Sequence, residues 1–305
     1  MLIDFGFKVR WLDRFARKYN KLILNKQKLF EALFHSKNED HQLSDSQNTR
    51  YETAVIKAIS SKRYFSKFRR KYVYRQILEH VDPLMGANYL EKTLDLDQEI
   101  IYKISALKSN DSVGGPLKFN YPAVGDMCPS TLRYISVAAE LKSLFGPLSG
   151  FKVAEIGIGY GGQFRILDCM FDMDKYFLFD LESVQTLTLK YLNNFKIKSD
   201  IFAITDISKF DSEIDLLISN YAFSEIPYRL QSSYLQRVIL KSKRGYMIMN
   251  SGKTNFSGRS TGKHSVEDLL SIIPNARISE EYPNTGIDNY LLTWGEVELD
   301  VLTER

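Results

Sequence analysis

The sequence predicts an α/β protein: a Rossmann-like, mostly parallel sheet of seven strands with helices on both faces, preceded by an N-terminal helical region. Three observations carry this. From Phe151 onward, short apolar runs alternate with helix-length amphipathic runs, the pattern of repeated strand–helix–strand units. One apolar run ends in closely spaced glycines, Val153-Ala154-Glu155-Ile156-Gly157-Ile158-Gly159-Tyr160-Gly161-Gly162, before helical sequence begins. The last two apolar runs are joined only by Pro283-Asn284-Thr285-Gly286, a connection too short for a parallel crossover, so one edge strand is antiparallel.

Composition bounds the answer. The chain has 305 residues, 44% hydrophobic and 26% charged, which is ordinary globular usage and not that of a disordered chain. No uncharged run approaches the ~18 apolar residues of a membrane-spanning helix, and the N-terminus lacks the pattern of a secretory signal. Two cysteines, Cys128 and Cys169, exclude a disulfide framework, so the cytoplasm is the expected compartment. Charge is uneven: residues 1–75 hold 18 basic and 7 acidic side chains, a net of +11 in a chain of net +4. Such a basic segment suits an anionic partner, a phosphate-bearing acceptor or the inner face of a membrane, or a solvated helical face.

The elements follow in order. Residues 8–35 carry an apolar stripe, Trp11, Leu12, Phe15, Tyr19, Leu22 and Ile23, opposite basic residues, and predict an amphipathic helix. Residues 36–50 are polar and predict a loop. Tyr51–Ser60 and Lys62–His80 predict helices, the second presenting Arg63, Lys67 and Arg70 on one face. Pro83 and Gly86 punctuate, and a further helix ends near Lys108. Ser109–Pro129 predicts a long loop, and Ser130 caps a helix to Phe145. Strands are expected at Lys152–Ile156, Lys175–Phe179, Ile201–Ile204, Asp215–Asn220, Arg244–Asn250, Ala276–Tyr282 and Asp288–Trp294. Helices are expected at Gly162–Met173, Ser183–Phe195, Leu230–Lys241 and from Ser265, where Asp268 completes a capping box. The organisation is a helical region at 1–108, a connecting loop and helix covering the site at 109–150, and a ligand-binding core at 151–305.

The glycine run marks the site. Glycine permits close main-chain approach to a ligand, and Asp180, closing the second strand 18 residues beyond Gly162, is placed to accept bonds from ribose hydroxyls. Gly157-x-Gly159-x-x-Gly162 matches the dinucleotide fingerprint of NAD enzymes. Glu155-x-Gly157-x-Gly159-x-Gly161 matches the first motif of S-adenosylmethionine-dependent methyltransferases. Glu155 favours the second, since a carboxylate there suits an ammonium and repels a pyrophosphate. So do the polar and aromatic residues of Ser219-Asn220-Tyr221-Ala222-Phe223-Ser224-Glu225 and the antiparallel ending.

The chain resembles a sugar O-methyltransferase family of bacterial glycan gene clusters, within the class I methyltransferases. The resemblance rests on Phe119-Asn120-Tyr121-Pro122, Pro129-Ser130-Thr131-Leu132-Arg133-Tyr134, the glycine segment through Gln163, Ser219–Glu225, and Lys243-Arg244-Gly245-Tyr246. It spans residues 109–295 and implies S-adenosyl-L-methionine as cofactor and a sugar or glycan acceptor, phosphate- or lipid-linked, with no nucleic acid. The expected cofactor residues are Gly157, Gly159 and Gly161 in the loop, Asp180 at the ribose, Glu155 at the methionine ammonium, Asp206 at the adenine, Ser219 and Asn220 along the methionine, and Arg133 at its carboxylate. Tyr121, Tyr160 and Tyr221 are placed to pack on the adenine or sulfonium. Glu225 and His264 are the candidate bases for a hydroxyl nucleophile. No metal is expected. An NAD-dependent enzyme, an RNA or other small-molecule methyltransferase, and a basic adaptor without activity are the alternatives.

Overall fold

The computed structural model describes residues 49–250, 262–287 and 289–295. The helix expected over 8–35 and most of the loop over 36–50 lie outside the described residues. The helical region opens with α1 (Thr49–Ser60), a one-turn α2 (Lys62–Phe65) and α3 (Tyr72–Ile77). It continues through α4 (Pro83–Leu96) and α5 (Ile100–Lys108). A short hairpin, β1 (Phe119–Tyr121) and β2 (Gly125–Met127), precedes α6 (Pro129–Phe145).

The α/β portion then runs β3 (Lys152–Ile156), α7 (Gly162–Met170), β4 (Lys175–Phe179), α8 (Glu182–Leu192), β5 (Asp200–Ile204) and β6 (Leu216–Asn220). It ends with α9 (Ala222–Glu225), α10 (Tyr228–Arg237), β7 (Gly245–Met249), α11 (Val266–Ile272), β8 (Arg277–Glu280) and β9 (Tyr290–Trp294). The seven main strands order β5-β4-β3-β6-β7-β9-β8. Five are parallel, and β9 runs antiparallel to both β7 and β8. This is the expected fold class, with one correction: the antiparallel strand is not at the edge but is β9, inserted between β7 and the edge strand β8. The sequence direction reverses between β3 and β6, and that reversal opens a crevice at the carboxyl ends of the strands.

Strand residues alternate between two buried faces, as a doubly covered sheet requires. Val153, Tyr176, Leu178, Leu216 and Ile218 face α6, α7 and α8. Ala154, Phe177, Phe179, Leu217 and Met247 face Leu235 of α10 and Leu269 of α11. Tyr51, Val55, Phe68, Tyr74, Tyr89 and Ile100 join the first of these clusters, so the described helical region shares one core with the sheet.

Three local expectations are corrected. Lys62–His80 is not one helix: it breaks into α2, a 3-10 turn at Phe68–Arg70, and α3. The break turns Phe68 and Arg69 inward, so Arg63, Lys67 and Arg70 share no helical face, and the Arg70 Nε donates to the Gly115 carbonyl. The loop at 109–129 contains the β1–β2 hairpin. Its Tyr121 is buried under α4, donating to the Pro83 carbonyl, and so is remote in role from the adenine expected beside it. Pro129 rather than a serine cap begins α6; the Ser130 hydroxyl donates back to the Leu78 carbonyl. The expected capping box at Ser265 and Asp268 is formed.

Arg69 joins these parts. Its side chain is fully buried, with Nε 2.5 Å from Glu79 Oε1 and Nη1 3.3 Å from Asp111 Oδ1. It also donates to the Asn110 carbonyl at 2.8 Å and stands 4.8 Å over the Tyr160 ring. Removing one member of a buried ion network strands the rest, at about 3–5 kcal/mol. Arg69→Ala is therefore expected to lower the unfolding free energy by about that amount, measured by denaturant titration.

Candidate functional site

The glycine loop is stitched to its neighbours by main-chain bonds. The Gly157 N–H donates to the Phe179 carbonyl at 2.9 Å, and the Gly159 carbonyl accepts from the Thr188 hydroxyl at 3.1 Å. Gly157 has φ +82°, and a Cβ there would strike the Ala222 side chain. Only glycine lets the loop lie this close to α9 while keeping a positive φ. Asp180, one residue past β4, accepts from the Gly159 N–H on Oδ2 at 3.3 Å and from the Leu181 N–H on Oδ1 at 2.8 Å. Desolvation raises its pKa to about 6, against the pull of those backbone donors.

A cavity of about 350 Å³ lies over this loop, at the small end of sizes usual for small-molecule sites. Gly157, Gly159 and Asp180 form its floor, with Asn220, Tyr221 and Glu225 from the end of β6 and α9. Arg133 of α6 and Tyr51, Leu78 and His80 of the helical region close one side. Asn250, Thr285 and Asn289 line the other.

Two groups in this cavity lack the partners their burial demands. Arg133 is 6% exposed, yet its guanidinium has no carboxylate partner among the described residues. It meets the Leu78 carbonyl at 3.5 Å and the side chains of Tyr134 and Tyr221. The Asn220 side-chain oxygen is buried without a hydrogen-bond donor among the described residues. Buried charges and amides are ordinarily paired, and here a cation and an amide oxygen without such partners lie in the same cavity.

Other expected contacts are corrected. Glu155 is 2% exposed and lies outside the cavity lining, on the face of the sheet opposite Ala154. There it accepts from the Tyr176 hydroxyl at 2.8 Å, and burial raises its pKa to about 8. A carboxyl so held favours its neutral form and lines no part of the cavity. Gly161 turns from the cavity as well: with φ +87° it is the N-cap of α7, and its missing Cβ makes room for Thr188. The Ser219 hydroxyl is consumed structurally, donating to the Ile156 carbonyl and accepting from the Phe223 N–H. Asp206 is exposed, caps the 3-10 turn at Ile207–Lys209 and pairs with Lys209, which pulls its pKa down together with the Ser208 hydrogen bonds. It lines no part of the cavity.

His264, the other candidate base, is 6% exposed, stacked on Tyr228 and bonded through Nε2 to the Ser232 hydroxyl at 3.1 Å. It does not line the cavity. Residues 251–261, which precede it, lie outside the described residues. Tyr160 is packed among Phe68, Tyr134 and Tyr191; of the three tyrosines only Tyr221 reaches the cavity. Glu225 does line it, with Oε1 accepting from Asn250 at 2.9 Å. Leu78, His80, Thr285 and Asn289 carry no motif in the sequence and were identified only by the fold.

No protein-family model matches the chain, and no curated protein sequence matches it either. Among solved structures, the mitomycin 7-O-methyltransferase MmcR is 13% identical, over 53% of this chain and 56% of that one, with a TM-score of 0.38. This chain therefore spans just over half of that protein's length. Magnesium protoporphyrin IX methyltransferase from Synechocystis PCC 6803 with bound SAM is 16% identical, over 53% and 76%, with a TM-score of 0.39. The methyltransferase domain of bacterial-CtHen1-CN is 13% identical, over 53% and 96%, with a TM-score of 0.40.

The state of Glu155 yields a prediction. Its carboxyl ionises near pH 4.5 in an unfolded chain and near pH 8 in the fold. Its contribution to stability is full below the lower value and is lost as pH rises toward the upper one. Glu155→Gln, which cannot ionise, is expected to gain stability relative to wild type between pH 5 and pH 8. The gain is at most ~1.4 kcal/mol per pH unit, read from thermal melts across that range.

Proposed function

We propose that this protein is an S-adenosyl-L-methionine-dependent O-methyltransferase whose acceptor is a sugar hydroxyl. One observation carries the cofactor: the guanidinium of Arg133, with no carboxylate partner among the described residues, and the Asn220 side-chain oxygen, with no donor among them, share a cavity with Asp180. The first suits the methionine carboxylate, the second its ammonium, and Asp180 the ribose hydroxyls. When bound, the cofactor supplies a methyl group already activated on a sulfonium. The protein's share is then orientation and exclusion of water, which account for much of the rate of such a displacement. Tyr221 turns its ring toward Arg133, 6.0 Å from the guanidinium, on the side where a sulfonium would gain from an aromatic face.

The dinucleotide alternative shares the glycine loop and Asp180 with this reading. A Cβ at Gly162 would meet the Tyr134 and Tyr160 rings, a close packing that either cofactor class accepts. The Asn220 oxygen, in one cavity with Arg133, favours an amino acid end over a nicotinamide. The sugar acceptor is supported by the sequence resemblance and by a cavity rim of amides, hydroxyls and one carboxylate: Gln76, Asn250, Thr285, Asn289 and Glu225. Apart from Arg133, the described lining holds no lysine or arginine, so the basic residues of the helical region meet a phosphate-bearing or membrane-held acceptor, if at all, outside the cavity.

Incubation with labelled S-adenosylmethionine and nucleotide-linked, lipid-linked or oligosaccharide acceptors tests the reaction; transfer of label only to RNA or a non-sugar acceptor would overturn the sugar assignment. Asp180→Ala is expected to weaken S-adenosylhomocysteine binding by about 1–3 kcal/mol, by calorimetry. Ribose hydroxyls donate best to the ionised carboxylate, so wild-type affinity is expected to be constant above pH 7. It should fall below about pH 6, by no more than tenfold per unit for one proton. Affinity flat from pH 5 to pH 8 would remove Asp180 from the ribose.

A further inference from the structure

We propose that His80 is the base of this site, its Nε2 taking the proton of the acceptor hydroxyl. The proposal rests on the methyltransferase reading above, and it assigns a catalytic role to the helical region.

A base needs an accessible lone pair, and the cavity offers few. Asp180 takes the N–H groups of Gly159 and Leu181, and its remaining lone pairs are those assigned above to the ribose hydroxyls. Glu225 is engaged by the Asn250 amide. The Tyr221 hydroxyl is already shared with Glu281 and Thr285. Glu281 in turn takes the Thr285 N–H and hydroxyl and the Asn289 amide on its other oxygen, so that carboxylate is saturated. Arg133 cannot accept at all.

His80 differs. Its Nδ1 lies 3.1 Å from the Ile77 carbonyl oxygen. A carbonyl only accepts, so Nδ1 must carry the proton. Nε2 is left with a lone pair and has no partner among the described residues, and the ring lines the cavity beside Arg133. The charged groups facing it are Arg133 from α6, Glu79 from its own segment and Glu281 from the turn before β9. His80 is itself exposed while lining the cavity, so Nε2 is open to an acceptor. Partial desolvation and then Arg133 hold its pKa below the ordinary imidazole value, which keeps the ring neutral at and above pH 7. Glu79 and Glu281 oppose that push and would favour the imidazolium formed in the reaction.

In the step itself the O–CH3 bond forms as the S–CH3 bond breaks. The electron pair of the broken bond stays on sulfur, and the hydroxyl proton passes to Nε2. Water takes that proton after product leaves. The competing role is a cap: Ile77 ends α3, and a side-chain donor there satisfies a terminal carbonyl.

The test separates the two. His80→Asn retains a donor within reach of the Ile77 carbonyl but has no basic nitrogen. With the acceptor that turns over in the labelling assay, this variant is expected to lose 10²–10⁴-fold in kcat. Its S-adenosylhomocysteine affinity is expected to stay within twofold. An unchanged kcat overturns the proposal. A second readout needs no acceptor: long-range 1H–15N spectra of protein labelled at histidine nitrogen, with His80 assigned by its loss in the variant. A proton on Nδ1 and an unprotonated Nε2 from pH 6 to pH 8 are expected; a proton on Nε2 overturns the proposal. A protein that fails to bind S-adenosylhomocysteine would instead refute the methyltransferase reading, whatever the state of His80.

Discussion

The buried guanidinium of Arg69 is the interaction on which the site depends. It leaves a 3-10 turn, pairs with Glu79 just beyond α3 and with Asp111 at the start of the connecting segment, and covers the Tyr160 ring of the glycine loop. Asp111 holds the backbone N–H of Cys128 at 2.7 Å and the Thr131 hydroxyl at 2.6 Å, which fixes the start of α6 and with it Arg133. Glu79 lies between Leu78 and His80, two residues that wall the cavity. One buried charge thus sets the relative positions of the helical wall, the cationic helix and the glycine loop. A buried charge network is a weak source of net stability, but it tolerates few alternative arrangements.

The cavity that results is built by subtraction. Several polar groups that the sequence offers to a ligand are consumed by the fold: Ser219 ties β6 to β3, Asp206 caps its own turn, and Glu155 favours its neutral form beneath the sheet. Arg133, Asn220 and Asp180 remain. Their complementarity to a carboxylate, an ammonium and a diol is more specific than the glycine spacing, which two cofactor classes share. The carboxylate at Glu155, which in sequence separates those classes, does not do so in the fold. The presence of Arg133 and the Asn220 oxygen in one cavity favours the amino acid.

Much of the fold is legible because its signals are local. Strand-length apolar runs, the glycine segment and the Pro283–Gly286 turn give the sheet, including its antiparallel ending. The capping box at Ser265 is likewise written within four residues. Errors arise where tertiary burial overrides local pattern. Lys62–His80 has helical spacing, but burying Phe68 and Arg69 together requires a break. Tyr121 and Tyr160 sit at motif positions yet fill the core under α4 and α6. In the site, Asp180, Asn220 and Arg133 are readable from their distance to the glycines or their place in a motif. Leu78, His80, Thr285 and Asn289 are not, because they come from chain segments over a hundred residues apart in places and meet only through the packing of the helical wall and the last strand turn.

On the reading proposed above, this crevice takes an adenosyl amino acid and not a dinucleotide. Side-by-side calorimetric titration of the full chain with S-adenosylhomocysteine and with NAD tests it most directly. The account predicts saturable one-to-one binding of S-adenosylhomocysteine and no heat of binding with NAD. Binding of NAD in the absence of binding to S-adenosylhomocysteine would contradict it.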